Sequence, residues 1–147
     1  MAFDAFAAAF TELSEDEIKL LRQASTESVF SPGSEILVEG QLLDVIYVIV
    51  KGRLRVTHSM TLGRGGEFVT PLGPGEIIGE MSFMDGLGAS ATLIADGEVT
   101  VQGFGHDVAE ELSTSDAEFS SRFYHSLLLV EVKRLRATNT RIPLAFA

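Results

Sequence analysis

Closely spaced turn signals in the middle of the chain restrict its fold more than any other feature. Between residues 29 and 104, glycine-containing turn motifs recur at intervals that are mostly about seven to twelve residues, the length of one strand plus one turn. They lie at 32–33, 40, 51–52, 63–66, 73–75, 86–88 and 96–97. The runs between them are rich in β-forming side chains and lie at 36–38, 45–50, 68–69, 77–78 and 93–94. The pattern predicts about eight short strands, arranged as an eight-stranded β-barrel or jelly roll over residues 27–104.

Helical patterns flank this β-rich region on both sides. Ser14 and Glu17 have the spacing of a capping box, which predicts a helix start within an N-terminal helical segment, residues 1–26. On the other side, residues 105–141 are predicted to be helical and residues 142–147 to form a tail. The chain is therefore expected to be a single domain of the mainly β class with flanking helices, an α+β arrangement.

Two helices are predicted in the C-terminal helical segment. Asp107 is placed to cap a short helix that runs through Leu112. A second capping box at 115–118 opens a long helix, which runs to about Thr140 and ends before Pro143.

The long helix carries more apolar surface than one neighbour can cover. Residues 127–130 are four consecutive apolar side chains, and they surround the helix axis. The barrel and the first helix could bury this surface together, or the same helix of a second copy could cover part of it. The sequence favours the second arrangement, a homodimer through helix 118–140.

Charge and composition argue against several classes of function. The formal net charge is −10 and the pI is about 4.6, so the chain repels phosphate backbones and no nucleic-acid partner is expected. Only residues 141–147 follow the long helix, which also disfavours a DNA-binding regulator. Cysteine is absent and the three histidines lie far apart, so neither a disulfide nor a metal site is expected. No grouping of nucleophile, base and orienting residue appears, and the chain is not expected to be an enzyme.

The same reading of composition gives an expected location. The apolar stretch at residues 1–10 carries an acid and lacks a basic leading region, unlike a signal peptide. No apolar run approaches the ~20 residues that span a bilayer. We therefore expect a cytoplasmic protein without a membrane partner.

The segment 79–92 has the composition of an anion site. Gly79 and Glu80 follow a strand-like run, and a short apolar turn and a glycine-rich connection then lead to Ser90 and Ala91. A one-turn helix here would direct unpaired backbone N–H groups and the positive end of its dipole at a bound anion. The alternative is a buried corner, in which Glu80 only satisfies local backbone N–H groups.

Three stretches, in this order and at these spacings, carry a family resemblance. They are FSPGSEILVEGQ at 30–41, VIYVIVKGRLRV at 45–56, and GEMSFMDGLGASAT at 79–92. Over residues 13–140 the chain resembles the cyclic nucleotide-binding domain of the catabolite activator protein family and of cyclic-nucleotide-regulated kinases. The three stretches look like the family's opening hairpin, its central hairpin and its phosphate-binding cassette.

This resemblance implies a role for each residue of the cassette. Gly79 would let the backbone approach the sugar–phosphate, and Glu80 would accept a hydrogen bond from the ribose 2′-hydroxyl. The backbone N–H groups of Met81 and Ser82 would face the cyclic phosphate. Ser90 and Ala91 would close the cassette from the next strand. The implied regulatory ligand is cAMP or cGMP, with no metal.

One position departs from the family pattern. Ala89 stands where the family has an arginine that pairs with the phosphate. Losing such a pair costs on the order of 2–5 kcal/mol of binding, or ~30-fold to several-thousand-fold in affinity. A substitute would have to reach in from Arg64, Arg53 or Arg55, or from the long helix.

The end of the long helix carries a weaker resemblance. The run KRLRATN at 133–139 is similar to an Arg-Arg-Leu run followed by Thr-Ser in the catabolite activator relatives, where the Thr-Ser pair contacts the base. Thr138 and Asn139 are therefore candidate ligand contacts, although the run lies about four residues later than in those relatives. The alternative is that both are ordinary capping residues near a helix end.

These observations leave two functions open, with a third possibility beside them. The first is a sensor domain that binds cAMP or a related nucleotide in the barrel and signals through its long C-terminal helix. The second is a ligand-free interaction or dimerisation module, with a possible protein partner, that kept the fold but lost phosphate binding through Ala89. A different small anion or nucleotide in the same pocket is the third.

Overall fold

The computed structural model describes residues 2–57 and 71–141, which contain five strands and five helices. The strands are β1 Thr26–Phe30, β2 Glu35–Leu37, β3 Val45–Thr57, β4 Ile77–Ile78 and β5 Thr92–Gly105. The helices are α1 Ala5–Ala9, α2 Glu15–Gln23, α3 Glu80–Asp85, α4 His106–Ser115 and α5 Ala117–Arg141. None of the helices in these two ranges is long and apolar enough to cross a membrane.

The described strands form one antiparallel sheet in the order β1-β5-β3-β4, and β2 also pairs with β5. The prediction of a mainly β domain with flanking helices is thereby confirmed. The prediction of a closed eight-stranded barrel is not, because the described residues give an open sheet of five strands. The turn signal at 63–66 and the β-forming run at 68–69 lie outside the described residues.

Two predicted turns are bends inside long strands, which explains part of the lower strand count. Gly52 has a positive φ of 92° but lies within β3, and the pairing of β3 with β5 shifts register on both sides of Lys51. Gly97, with a φ of 85°, lies in the same way within β5. A β-bulge bends a strand without reversing the chain, so glycine at these positions does not end the strand.

The first predicted capping box is confirmed at the start of α2. The Glu17 N–H donates to Ser14 Oγ at 3.2 Å, and the Ser14 N–H donates to Glu17 Oε1 at 2.8 Å. Three acidic residues in the first turn suit the positive end of the helix dipole.

The predicted caps of the two C-terminal helices are wrong in detail. Helix α4 begins at His106, so Asp107 lies in its first turn rather than before it. Ser115 ends α4, and Asp116 caps α5 by accepting from the N–H groups of Glu118 and Phe119 at 3.0 and 3.2 Å. A carboxylate one residue closer to the helix therefore takes the role that the spacing gave to Ser115.

Two clusters of buried side chains form the core, and the segment 79–91 lies between them. The first joins the helices to β5 through stacked and tilted aromatic rings, among them Phe10, Phe104 and Phe123. The second lies on the sheet around Leu93 and includes Ala89. Phe83 of α3 packs against the helical cluster, so the cassette touches both.

Candidate ligand-binding site

The backbone at Gly79 leaves no room for a side chain. Its φ is 89°, and a Cβ placed there would lie 2.4 Å from the carbonyl oxygen of Val45. Such a close approach of two backbone segments requires glycine. Gly79 therefore fixes where α3 begins, immediately beside the sheet, and it sets the position of the next residue, Glu80.

Backbone hydrogen bonds fix the other side of the cassette. The Ala89 N–H donates to the Gln41 carbonyl, and the Gly40 N–H donates to the Ala89 carbonyl, both at 2.8 Å. The Ala89 side chain is 8% exposed and belongs to the wall of a cavity. Gly40 and Gln41, at the end of the stretch predicted to be the opening hairpin, thus hold position 89 in place.

A cavity of about 580 Å³ lies between the cassette, the sheet and α5. The sheet contributes apolar side chains, including Leu37, Val56 and Leu93. Helix α5 contributes both apolar and charged side chains, and the end of α1 with the residues just after it completes part of the wall. Any ligand here would therefore touch the cassette and the long helix at once.

A buried polar contact in this wall joins α5 to the cassette. Glu80 is 2% exposed, and its carboxylate accepts a hydrogen bond from the Arg134 guanidinium. The same guanidinium donates to the carbonyl of Ile77. It also lies 3.5 Å from the carboxylates of Glu76 and Glu131. One arginine is therefore shared by three carboxylates and one backbone oxygen.

The environment of Glu80 makes its charge sensitive to pH near neutrality. Burial raises the pKa of Glu80 to about 7, although the attraction of the Arg134 guanidinium acts against this change. The neighbouring Glu131 carboxylate raises the pKa of Glu80 further. The cluster can thus take up a proton at a pH where ordinary carboxyl groups are ionised.

The structure brings most of the predicted site residues to one cavity. Those on its wall are Gly79, Glu80, Met81, Ser82, Ala89, Ser90, Ala91 and Thr138. Asn139 does not contribute to the wall. Thr138 also donates to the Arg134 carbonyl at 3.0 Å, a local helix contact of the kind expected near a helix end.

Arg134, Glu76 and Glu131 are wall residues that the sequence prediction did not select. Arg134 does come from the long helix, one of the sources considered for a substitute arginine. The three-residue spacing of Glu131 and Arg134 was a usable signal for a pair on one helix face. Their meeting with Glu80 depends on how α5 crosses the cassette, and no local pattern gives that crossing.

Comparison with known proteins gives the family. Residues 27–116 match the sequence model of the cyclic nucleotide-binding domain. The chain belongs to the cyclic nucleotide-binding domain family.

Relatives and solved structures agree with this assignment. The chain is 32% identical over 88 residues to the cyclic AMP receptor protein of Thermus thermophilus, a match covering 58% of this chain and 39% of that protein. It is 29% identical over 102 residues to a cAMP-dependent protein kinase regulatory subunit of Yarrowia lipolytica, covering 69% of this chain and 26% of that one. The chain thus spans less than half the length of these curated relatives. A cyclic nucleotide-binding domain from Methylobacillus flagellatus has the same fold, with a TM-score of 0.82, 22% identity, and coverage of 97% of this chain and 84% of that one.

Proposed function

We propose that this chain is a regulatory domain that binds cAMP or a related nucleotide-type ligand in its cavity and transmits binding through α5. The observation that carries the proposal is the contact between Arg134 of α5 and Glu80 of the cassette, across one wall of the cavity. Relatives described as a cyclic AMP receptor protein and a cAMP-dependent kinase regulatory subunit support the class of ligand. The proposal assigns no catalysis to the chain.

Competition for one carboxylate supplies the coupling between ligand and helix. Glu80 would accept a hydrogen bond from the ligand's 2′-hydroxyl, while Arg134 already donates to the same carboxylate. A bound ligand therefore changes the attachment of α5, and a helix that moves against its sheet shifts any interface it forms. In this proposal Gly79, Met81, Ser82, Ser90 and Ala91 shape the sugar–phosphate end of the site, and Thr138 lies at its far end.

Calorimetric titration tests the proposal directly. We expect at least one of cAMP, cGMP and adenosine to bind with a dissociation constant below about 1 mM, or about −4 kcal/mol. Glu80→Gln should weaken that binding about tenfold or more, because the amide cannot replace the charged acceptor. Glu110→Gln, an exposed change on α4, is the matched control and should leave it unchanged.

Two results would contradict the sensor proposal. If none of the three ligands gives heat at millimolar concentration, the proposal that the chain binds a ligand of this class is wrong. Equal affinity of the wild-type and Glu80→Gln proteins removes this cavity as the binding site.

A second candidate, the interaction module, is favoured by an exposed apolar stripe on α5. Tyr124, Leu128, Val132 and Leu135 lie on one helix face and are all exposed, with Leu128 at 58%. This stripe supports a homodimer in which the same helix of a second copy covers it, and a protein partner is the other occupant. The expectations of no nucleic-acid, membrane or metal partner stay predictions, as does a cytoplasmic location.

Sedimentation velocity distinguishes the dimer from the monomer. We expect a dimer at micromolar concentration that Leu128→Glu dissociates, because a buried carboxylate on this stripe lacks a partner. Lys19→Glu, an exposed charge change on α2, should leave the dimer intact. A wild-type monomer at tens of micromolar would rule the dimer out.

A further inference from the structure

The described wall of the cavity has no excess of positive charge. Its charged side chains are three carboxylates, Glu76, Glu80 and Glu131, and two cations, Lys133 and Arg134. With all five ionised the wall is negative, and with Glu80 protonated the charges balance. Neither state gives the wall a net positive charge for an anion, and the net charge of the whole chain is −10.

The donors of Arg134 are largely committed within the protein. Its Nη1 contacts Glu80 and Glu131, and its Nη2 contacts the Ile77 carbonyl and Glu76. Only Nε, which is buried, lacks a partner among the described residues. A phosphate reaching this guanidinium would have to displace carboxylates or lie beside them, which is unfavourable for like charges at short range.

The position where the family resemblance expects an arginine is apolar. Ala89 packs with the sheet cluster, whose members include Leu37 and Leu93, and its methyl group can neither pair with nor hydrogen-bond an anion. Removing a charged phosphate from water beside such residues costs free energy that these apolar side chains do not return.

The remaining features suit the uncharged part of a nucleotide. Glu80 is a buried acceptor for a ribose hydroxyl, and the apolar side chains of Val56, Leu93 and Leu129 offer a surface for a planar base. We infer that this cavity selects an uncharged ribonucleoside over its cyclic phosphate. This inference rests on the proposed function, and it names the charge of the ligand that the proposed function leaves open.

Calorimetry with adenosine and cAMP on three proteins tests the inference. In the wild-type protein adenosine should bind about tenfold or more tightly than cAMP, and its affinity should not change between about 50 and about 300 mM salt. Ala89→Arg should raise cAMP affinity about tenfold or more and change adenosine affinity by less than about threefold. Leu87→Arg adds the same charge at an exposed position of the same loop and should leave both affinities unchanged.

The possible outcomes distinguish failure of the inference from failure of the proposed function. Wild-type cAMP binding as tight as adenosine binding, or tighter, overturns the inference and leaves the proposed function in place. Binding of neither ligand at millimolar concentration overturns the inference, and it overturns the proposed function as well if cGMP also fails to bind. A folded Ala89→Arg protein, judged by its thermal unfolding, that gains no cAMP affinity also overturns the inference. If that variant does not fold, the wild-type ranking and its salt dependence decide alone.

Discussion

The two halves of α5 are attached to the rest of the molecule by different physics. In the first half, Phe119, Phe123 and Leu127 are at most 1% exposed and pack into the aromatic cluster. In the second half the inward contact is the polar cluster around Arg134, and nearby Leu135 is 49% exposed. Apolar packing is lost only when the fold opens, whereas a polar cluster can exchange partners with a ligand or a proton. The first half thus anchors the helix, and the second half is the part that can respond.

Removing the central ring of the anchored half should have the largest effect. Phe123 is fully buried and contacts the rings of Phe10, Phe104 and Phe119. We expect Phe123→Ala to lower the free energy of unfolding by about 3–5 kcal/mol, because it leaves a cavity among rings that cannot close around it. Urea denaturation of the two proteins measures the difference.

Truncation on the exposed side of the same helix is the control for that loss. Leu128→Ala should change the free energy of unfolding by less than about 0.5 kcal/mol in the monomer. Similar losses in both variants would mean that the first half of α5 is not the better anchored face.

Breaking the polar attachment should cost less, and its cost should depend on pH. Arg134→Met leaves the buried Glu80 without its cation, which we expect to cost about 1–3 kcal/mol at pH 8. The pKa of Glu80 is already raised, so its folded form holds a proton more readily than the unfolded chain does, and the stability it contributes falls as pH rises from about 4.5 to about 7. Without Arg134 this carboxyl becomes neutral more easily, so the cost should be smaller at pH 6 than at pH 8.

Hydrogen exchange locates the same change along the helix. Amide protection should fall in residues 130–141 and stay unchanged in 119–127 of the Arg134→Met protein. The matched variant Arg136→Met, at an exposed position, should show neither effect. If Arg134→Met lowers the free energy of unfolding equally at pH 6 and pH 8, the role assigned to Glu80 protonation is wrong.

The smallest effect should come from the ion pair that links α5 to α2. Hydrogen bonds from Arg122 lower the pKa of Glu17 to about 2. The hydrogen bond that the Glu17 carboxylate accepts from the Ser14 N–H lowers this pKa as well. Because the folded pKa lies below the unfolded value of 4.5, this stabilisation is complete above about pH 4.5 and is lost as pH falls to about 2. Glu17→Gln should therefore be less stable than wild type at pH 7 and equal to it near pH 2, by urea denaturation.

A charge removed from the same turn serves as the comparison for Glu17. Glu15→Gln, which is exposed and loses only its interaction with the helix dipole, should change stability at pH 7 less than Glu17→Gln does. A difference between Glu17→Gln and wild type that is constant over this range would contradict the pKa assignment.

Features fixed by neighbouring residues could be predicted from the sequence. The capping box of α2 needs only a hydroxyl and a carboxylate three residues apart, and the structure confirms it. The long helix was predicted because its apolar and capping signals are all local, and the structure describes it from Ala117 to Arg141. The cassette residues, from Gly79 to Ala91, were recognisable because the motif is continuous in sequence.

Features fixed by distant residues could not be predicted in the same way. Whether Gly52 reverses the chain or bends a strand depends on its pairing with β5, about forty residues later. The place of Arg134 depends on the angle at which α5 crosses the cassette. Two of its carboxylate partners, Glu80 and Glu76, lie 54 and 58 residues away in the sequence, and the third, Glu131, lies three residues away. Only the contact with Glu131 could therefore be predicted from local sequence.

The aromatic residues near the start of the sequence are synthesised long before some of the residues that cover them in the folded protein. Phe6 and Phe10 pack against Phe104 and Phe123, which leave the ribosome about a hundred residues after them. Until α5 has emerged, a growing chain lacks the Phe123 ring that stacks on Phe10, so part of this aromatic surface stays uncovered. Such a chain is prone to aggregate during translation. Chaperone contact should be greatest just before α5 is complete.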